Sequence, residues 1–158
     1  MLKVVFAALD RWCLAENANR VEMGALRLRP FEVKVLGQTA LIEQHVKLPL
    51  VATHDVDAYA NFDYTAMREF ERLLLRRHRV FDRHSQEIWM PKETRYNVLF
   101  RGKIVTGKVA RPEYVLLSKA IKAPRKNAEL MRAYLRGKPS RVFVKLAETY
   151  NLDLRRFQ

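Results

Sequence analysis

Two aspartates, Asp55 and Asp57, are the residues of this sequence best placed to do chemistry. They lie in the segment 53–59, where polar and apolar residues alternate as they do in a strand. Residues two apart on a strand point to the same face, so these two carboxylates repel each other. A divalent cation relieves this repulsion, and Mg²⁺ or Mn²⁺ accepts such carboxylates together with phosphate oxygens. The pair therefore predicts a metal site that acts on a phosphate compound, and a solvated strand end is the alternative interpretation of an Asp-x-Asp taken alone.

A strand, a glycine turn and a helix precede the two aspartates. Residues 31–36 alternate in polarity and predict a strand, Gly37 ends it, and residues 38–46 follow as a predicted helix. Glycine lets a backbone approach a ligand closely, because it carries no Cβ. The free N–H groups at the start of a helix can hold a phosphate. This turn is therefore a predicted phosphate site.

In this order, the two segments resemble the nucleotidyltransferase superfamily related to polymerase beta. That family has an apolar-Gly-Gly/Ser turn, a helix, and then a strand bearing Asp-x-Asp. The matching residues are Leu-Gly-Gln at 36–38 and Asp-Val-Asp at 55–57. The resemblance implies that Gly37 and Gln38, with Thr39 beside them, contact the nucleotide phosphates. It also implies that both aspartates are catalytic and bind the metal ion.

A segment further along the chain is similar to a helix of abortive-infection-type toxin nucleotidyltransferases. In those proteins one lysine of the helix faces the cleft, and a Lys-Asp pair follows. The segment 112–120 matches the helix, Lys119 matches the first lysine and Lys126 the second, whereas Asn127 stands where Asp is usual. The resemblance spans roughly residues 31–136. It implies that Lys119 and Lys126 bind the nucleotide, and that a toxin role with an antitoxin partner is to be expected.

Active members of the family carry a third carboxylate on a later strand beside the Asp-x-Asp strand. Glu87, on a strand predicted over 84–90, is the first candidate for this catalytic role, and Glu93 is the second. The alternative interpretation is that both glutamates are ordinary surface residues. If neither lines the cleft, the domain would bind nucleotides without transferring them, and Gln38 and Asn127 depart from the family pattern in the same direction.

The charge of the chain indicates a polyanionic partner. Of the net charge of +13, residues 101–158 carry +11 and residues 1–100 carry +2. Such an asymmetry favours nucleic acid, and RNA in particular, as the partner of the C-terminal part. The densest basic segment near the predicted cleft consists of Lys119, Lys122, Arg125 and Lys126. A solvated helix face is the alternative interpretation of that segment.

Composition and patterning predict one α+β domain over residues 1–158. We expect a mixed sheet flanked by helices, with a core at about 31–110 and a helical C-terminal part at about 112–158. The predicted order is α-β-α-β-α-β-β-β followed by three helices. The single cysteine, Cys13, excludes an internal disulfide and fits a cytoplasmic protein, and no apolar run reaches the length of a membrane span.

The sequence thus predicts a metal-dependent transfer of a nucleotidyl group from an NTP to an acceptor, with RNA such as tRNA favoured. The alternative is a catalytically degenerate domain of the same fold that binds nucleic acid. A nuclease built on Glu32, Lys34 and Asp10 is a third interpretation. His54 could orient the turn or bind metal, and Trp89 and Tyr96 could stack on bases or pack in the core.

Overall fold

The computed structural model describes residues 1–158 and has an α+β fold built on one mixed sheet. The sheet contains five strands in the spatial order β3-β2-β1-β5-β4. In chain order the elements are α1 (Leu2–Glu22), β1 (Phe31–Val35), α2 (Gly37–Glu43), β2 (Asp55–Ala60), α3 (Tyr64–Leu75), β3 (Val80–Asp82), β4 (Tyr96–Arg101), β5 (Val105–Ala110), α4 (Pro112–Lys122), α5 (Ala128–Arg136) and α6 (Arg141–Thr149).

Several helices begin where the sequence supplies a partner for their free N–H groups. Asp63 accepts a hydrogen bond of 2.9 Å from the N–H of Thr65 and so caps α3. The hydroxyl of Ser140 accepts a bond of 3.1 Å from the N–H of Phe143 and caps α6. Pro112 occupies the first turn of α4, where its missing N–H has no intrahelical partner to lose. These caps fix the helices that border the sheet.

Strand alternation divides the sheet into two faces. What we call the back face carries buried apolar residues and packs against α1 and α3: Val33, Val35, Val56, Ala58, Phe81, Val105 and Val109. What we call the open face carries the alternate residues of the same strands: Glu32, Lys34, Asp55, Asp57, Tyr59, Asp82, Thr106 and Lys108. The aspartates of β2 are therefore on the polar side, as strand alternation predicts.

The back face holds the main core, and its centre is aromatic. Phe70 of α3 is fully buried and contacts the rings of Phe6, Phe62 and Phe81, with ring centroids 5.5 to 6.1 Å apart. The ring of Phe6 also lies directly over Gly107, where a Cβ would be only 2.2 Å from its Cδ2 atom. This close packing holds α1 and α3 onto the sheet.

The third strand differs from the prediction. A strand over 84–90 is wrong, because residues 83–87 form a short 3₁₀ helix and the strand is β3 at Val80–Asp82. The carboxylate of Asp82 accepts a hydrogen bond of 2.9 Å from the N–H of His84, which starts the 3₁₀ turn at once. Ser85 is buried and its hydroxyl bonds to both backbone groups of Ala58 in β2.

The structure separates the acidic residues on which the nuclease interpretation depends, Asp10 and Glu32. Asp10 is buried on α1, where its carboxylate accepts hydrogen bonds from the N–H groups of Ile104 at 2.8 Å and Val105 at 2.9 Å. Glu32 lies on the open face and pairs with Lys108. Asp10 and Glu32 are therefore on opposite sides of the sheet. Separately, none of the helices combines the length and the apolar character that crossing a bilayer requires.

A candidate active site at the aspartate end of the sheet

Three aspartates meet at one edge of the open face. Asp55 and Asp57 are on β2, and β3 runs parallel beside it with Asp82 directly opposite Asp57. Paired residues on neighbouring strands point to the same face, so Asp82 joins the two carboxylates that the sequence had already indicated. None of the three carboxylates forms an ion pair with a basic side chain. The edge of the sheet therefore concentrates negative charge that no direct ion pair neutralises.

The electrostatics of Asp57 reflect this crowding. Burial raises the pKa of Asp57 above its ordinary value, and the charges of Asp82 and Asp55 raise it further. The positive charges of Lys119 and Lys126 act on the same pKa in the opposite direction. Asp57 is thus the centre of the site, with like charges on the sheet and lysines on the helical side.

At Gly37 the backbone of the predicted phosphate turn lies directly against the side chain of Asp57. Its φ of +62° lies in the left-handed region, and a Cβ at this position would be 2.7 Å from Oδ2 of Asp57. The N–H of Leu36 donates a hydrogen bond of 2.8 Å to the carbonyl oxygen of Asp57, which locks β1 to β2 at this point. Only glycine satisfies both the conformation and the close approach.

The side chains of Gln38 and Thr39 form hydrogen bonds to backbone carbonyl oxygens near the aspartates. The amide of Gln38 donates a hydrogen bond of 3.0 Å to the carbonyl oxygen of Val51, and the hydroxyl of Thr39 donates one of 3.0 Å to that of Asp55. These bonds hold β2 and the loop before it in place. Any phosphate contact from Gln38 or Thr39 therefore rests on their backbone N–H groups and stays a prediction.

Lys119 and Lys126 form the basic wall of the site. Lys119 of α4 is partly buried, and burial lowers its pKa, as does the charge of Lys126, while Asp57 raises it. A lysine held near another lysine and facing carboxylates is suited to a polyanionic ligand, because added negative charge relieves the repulsion between the two cations. The charges of both predicted lysines act on the pKa of Asp57, and their role in binding a nucleotide stays a prediction.

Asn127 has a structural explanation. It is buried, and its amide nitrogen donates hydrogen bonds of 2.9 Å to the carbonyl oxygen of Ala123 and 3.3 Å to that of Lys119. An ionised carboxylate has no proton to donate, so Asp could not make these bonds at neutral pH. The departure from the family pattern at this position joins the end of α4 to the start of α5.

Glu87 and Glu93 lie outside β2 and β3, the two strands that carry the aspartates. Glu87 is exposed at the end of the 3₁₀ helix, and Glu93 is exposed and accepts a hydrogen bond from the hydroxyl of Tyr150. The third carboxylate beside Asp57 is Asp82, which the sequence reasoning missed. The signal was present as Val-Phe-Asp at 80–82 directly after α3, but a strand of three residues is too short for a periodic pattern.

The remaining candidates have local partners. Nδ1 of His54 lies 3.4 Å from the carbonyl oxygen of His78, which favours its role in orienting the turn. Trp89 packs edge-on against Tyr150, with ring centroids 5.6 Å apart, and the ammonium of Lys122 lies 5.2 Å from the centroid of the indole. Burial raises the pKa of Cys13 to about 12, which makes this core thiol unreactive at neutral pH.

The residues present fit a divalent cation through their chemistry. No group of three or more His, Cys, Asp or Glu side chains is gathered closely enough to hold a metal ion by itself. Magnesium, however, is commonly bound by one or two carboxylates with substrate phosphates completing its shell. The unpaired Asp55 and Asp57 supply such a pair. Comparisons of the chain with protein-family models, with curated proteins and with solved structures found no match.

Proposed function

We propose that this chain is a metal-dependent nucleotidyltransferase that moves a nucleotidyl group from an NTP to an acceptor, with RNA such as tRNA favoured. The observation that supports the proposal best is the edge where Asp55, Asp57 and Asp82 lie together, opposite Lys119 and Lys126. Carboxylates on one side and lysines on the other match a reaction in which a triphosphate is held between a cation and basic groups.

Each residue has a role in this proposal. Asp55 and Asp57 would hold Mg²⁺ or Mn²⁺, which neutralises charge on the phosphates when bound. The acceptor hydroxyl oxygen forms a bond to the α-phosphorus, and the bond from that phosphorus to the pyrophosphate oxygen breaks. Asp82 takes the proton of the hydroxyl, in the role that the sequence assigned to Glu87 or Glu93. Lys119 and Lys126 offset the charge of the departing pyrophosphate.

The test uses NTPs labelled on the α-phosphate, with magnesium and total RNA. We expect the label to appear in RNA with the native chain, and no transfer from NTPs labelled on the γ-phosphate. Asp57→Asn and Asp82→Asn should each lower the rate by about 10²- to 10³-fold, as loss of one charge-positioning group does. The matched controls Glu87→Gln and Glu93→Gln should stay within about twofold of the native rate.

Two outcomes would overturn this proposal. One is that the native chain binds NTP but transfers no label. The other is that Glu87→Gln abolishes transfer while Asp82→Asn leaves it intact. Either result would be decisive, because all these substitutions remove the charge and keep the size of the side chain.

A second candidate is a degenerate module of the same fold that binds nucleic acid without transfer. The observations that favour it are the side chains of Gln38 and Asn127, both of which are committed to structural hydrogen bonds. This module would bind RNA in a salt-dependent manner, and binding would survive Asp57→Asn. A toxin role and an antitoxin partner rest on the resemblance alone and stay predictions.

A further inference from the structure

A large cavity opens on the sheet beyond the aspartates. It has a volume of about 1050 Å³ and lies between the segment 26–32 and the end of β2 with its following loop, residues 59–63. The strongly basic C-terminal part of the chain contributes nothing to its lining. The cavity is therefore a feature of the N-terminal part, where the net charge gave no indication of a binding site.

The cavity adjoins the aspartate site along β2. Tyr59 lines the cavity and is two residues after Asp57 on the same face, so their Cα atoms are roughly 7 Å apart. Lys34, the register partner of Tyr59 on β1, also lines the cavity. The hydroxyl of Tyr59 donates to the carbonyl oxygen of Ile88, which fixes the ring between the two sites. The cavity therefore reaches β2 two residues away from Asp57.

Two cations of the cavity have no anionic partner. Arg27 and Arg29 line it, are exposed, and form no ion pair or side-chain hydrogen bond. By contrast, Arg20 in the same cavity pairs with Glu16 at 3.1 Å and Asp63 at 3.4 Å. A guanidinium without a protein partner is free to bind a phosphate in a bidentate manner. Arg27 and Arg29 thus offer two phosphate contacts separated by one residue.

The cavity also presents aromatic and amide groups. Phe31 and Phe62 lie in its wall, edge to face with centroids 5.7 Å apart, and both are partly exposed. Asn61 directly follows β2 and is exposed, and its side chain makes no hydrogen bond within the protein. Unpaired bases stack on aromatic rings, and side-chain amides read base edges. A duplex keeps its bases stacked on each other, so these groups favour a single strand.

We propose that this cavity binds the last nucleotides of a single-stranded RNA, with phosphates on Arg27 and Arg29 and the terminal hydroxyl directed to Asp57. The identification of the strand as the acceptor rests on the proposed transfer reaction. The binding itself does not, because cavity, cations and aromatic wall are independent of the aspartates. The proposal places the RNA on the N-terminal part of the chain and leaves Lys119 and Lys126 for the nucleotide.

The test measures binding of a fluorescein-labelled single-stranded RNA of twelve nucleotides to the full chain by anisotropy over a range of salt concentrations. The variant is Arg27→Ala/Arg29→Ala. We expect about 10-fold weaker binding and a slope of log K against log salt that is smaller by about 1.4, because each lost phosphate contact removes about 0.7. The matched control is Arg132→Ala/Arg136→Ala, two exposed arginines of α5 with the same loss of charge. It should change affinity by about twofold or less.

The outcomes separate this inference from the proposed function. Equal losses in the two double variants, no RNA binding by the native chain, or equally strong competition by an RNA duplex would each overturn the cavity proposal. Binding of a fluorescent NTP analogue with magnesium should be unchanged by Arg27→Ala/Arg29→Ala. If RNA binding behaves as expected but no label is ever transferred, the transfer reaction fails and the binding site stands.

Discussion

The back face and the open face of the sheet are built from alternate residues of the same strands, and they differ in burial and in charge. On the back face, β2 contributes Val56 and Ala58, both fully buried. On the open face, the same strand contributes Asp55 and Asp57, whose charges have no ion-pair partner. The back face contributes a large part of the buried apolar core, whereas the open face retains groups that repel each other. The proposed function would use this open face to bind its ligand.

The largest effect is expected on the back face. Phe70→Ala should lower the free energy of unfolding by about 3–5 kcal/mol, because it removes a fully buried ring from a cluster of four phenylalanines and leaves a cavity. Urea unfolding followed by circular dichroism measures the change.

The control for this prediction is Val98, an exposed valine of β4. Val98→Ala on β4 removes an exposed side chain and should cost about 0.5 kcal/mol or less. Similar losses in Phe70→Ala and Val98→Ala would show that the back face is not the centre of the core.

A smaller loss of stability is expected at Gly37, where β1 leads into α2. Gly37→Ala should cost about 2–3 kcal/mol, because the left-handed φ strains any side chain and the new Cβ would be 2.7 Å from the Asp57 carboxylate. Gly24→Ala is the matched control, since its φ is +68° and nothing lies within 4 Å of a Cβ there.

The difference between the two glycine variants isolates the contact with Asp57. Gly24→Ala should cost about 1–2 kcal/mol for conformation alone. In an Asp57→Ala background the extra cost of Gly37→Ala should vanish, which a double-mutant cycle detects. Equal costs for the two glycines in the native background would mean that the turn does not press on the carboxylate.

The comparison of faces also explains what the sequence could and could not reveal. The order of helices and strands apart from β3, the α+β class, and the shared face of Asp55 and Asp57 follow from periodicity and from glycine and proline positions. Asp82 could not be found in this way. Its place beside Asp57 depends on the pairing of β3 with β2, which is a non-local contact that leaves no pattern in three residues.

The cavity was hidden for a different reason. Arg27 and Arg29 lie in a segment without regular structure, within residues 1–100, whose charges nearly cancel. Several carboxylates of residues 1–100 are paired elsewhere, as Glu16 and Asp63 are with Arg20. Net charge counts all groups equally, so it cannot distinguish a paired arginine from a free one.

The smallest effect tests the open face itself. Asp57→Asn should stabilise the fold at neutral pH, because burial and the charges of Asp82 and Asp55 raise the pKa of Asp57. A raised carboxyl pKa means that the folded chain binds the proton more tightly than the unfolded chain. The native protein therefore loses stability as the pH rises from the unfolded pKa, near 4, through the folded pKa. The gain in Asp57→Asn should be present at pH 7 and disappear at about pH 3.

The opposite change in melting temperature is expected for Asp153, a carboxylate away from the site. Hydrogen bonds from the Arg155 side chain and backbone lower the pKa of Asp153, so its contribution is present above the unfolded pKa and is lost as the pH falls. Asp153→Asn should therefore lower the melting temperature at pH 7, whereas Asp57→Asn raises it. Melting curves of both variants at pH 3 and pH 7 decide the matter. A lower melting temperature of Asp57→Asn at pH 7 would mean that Asp57 stabilises the fold, and that the open face holds no repulsion for a cation to relieve.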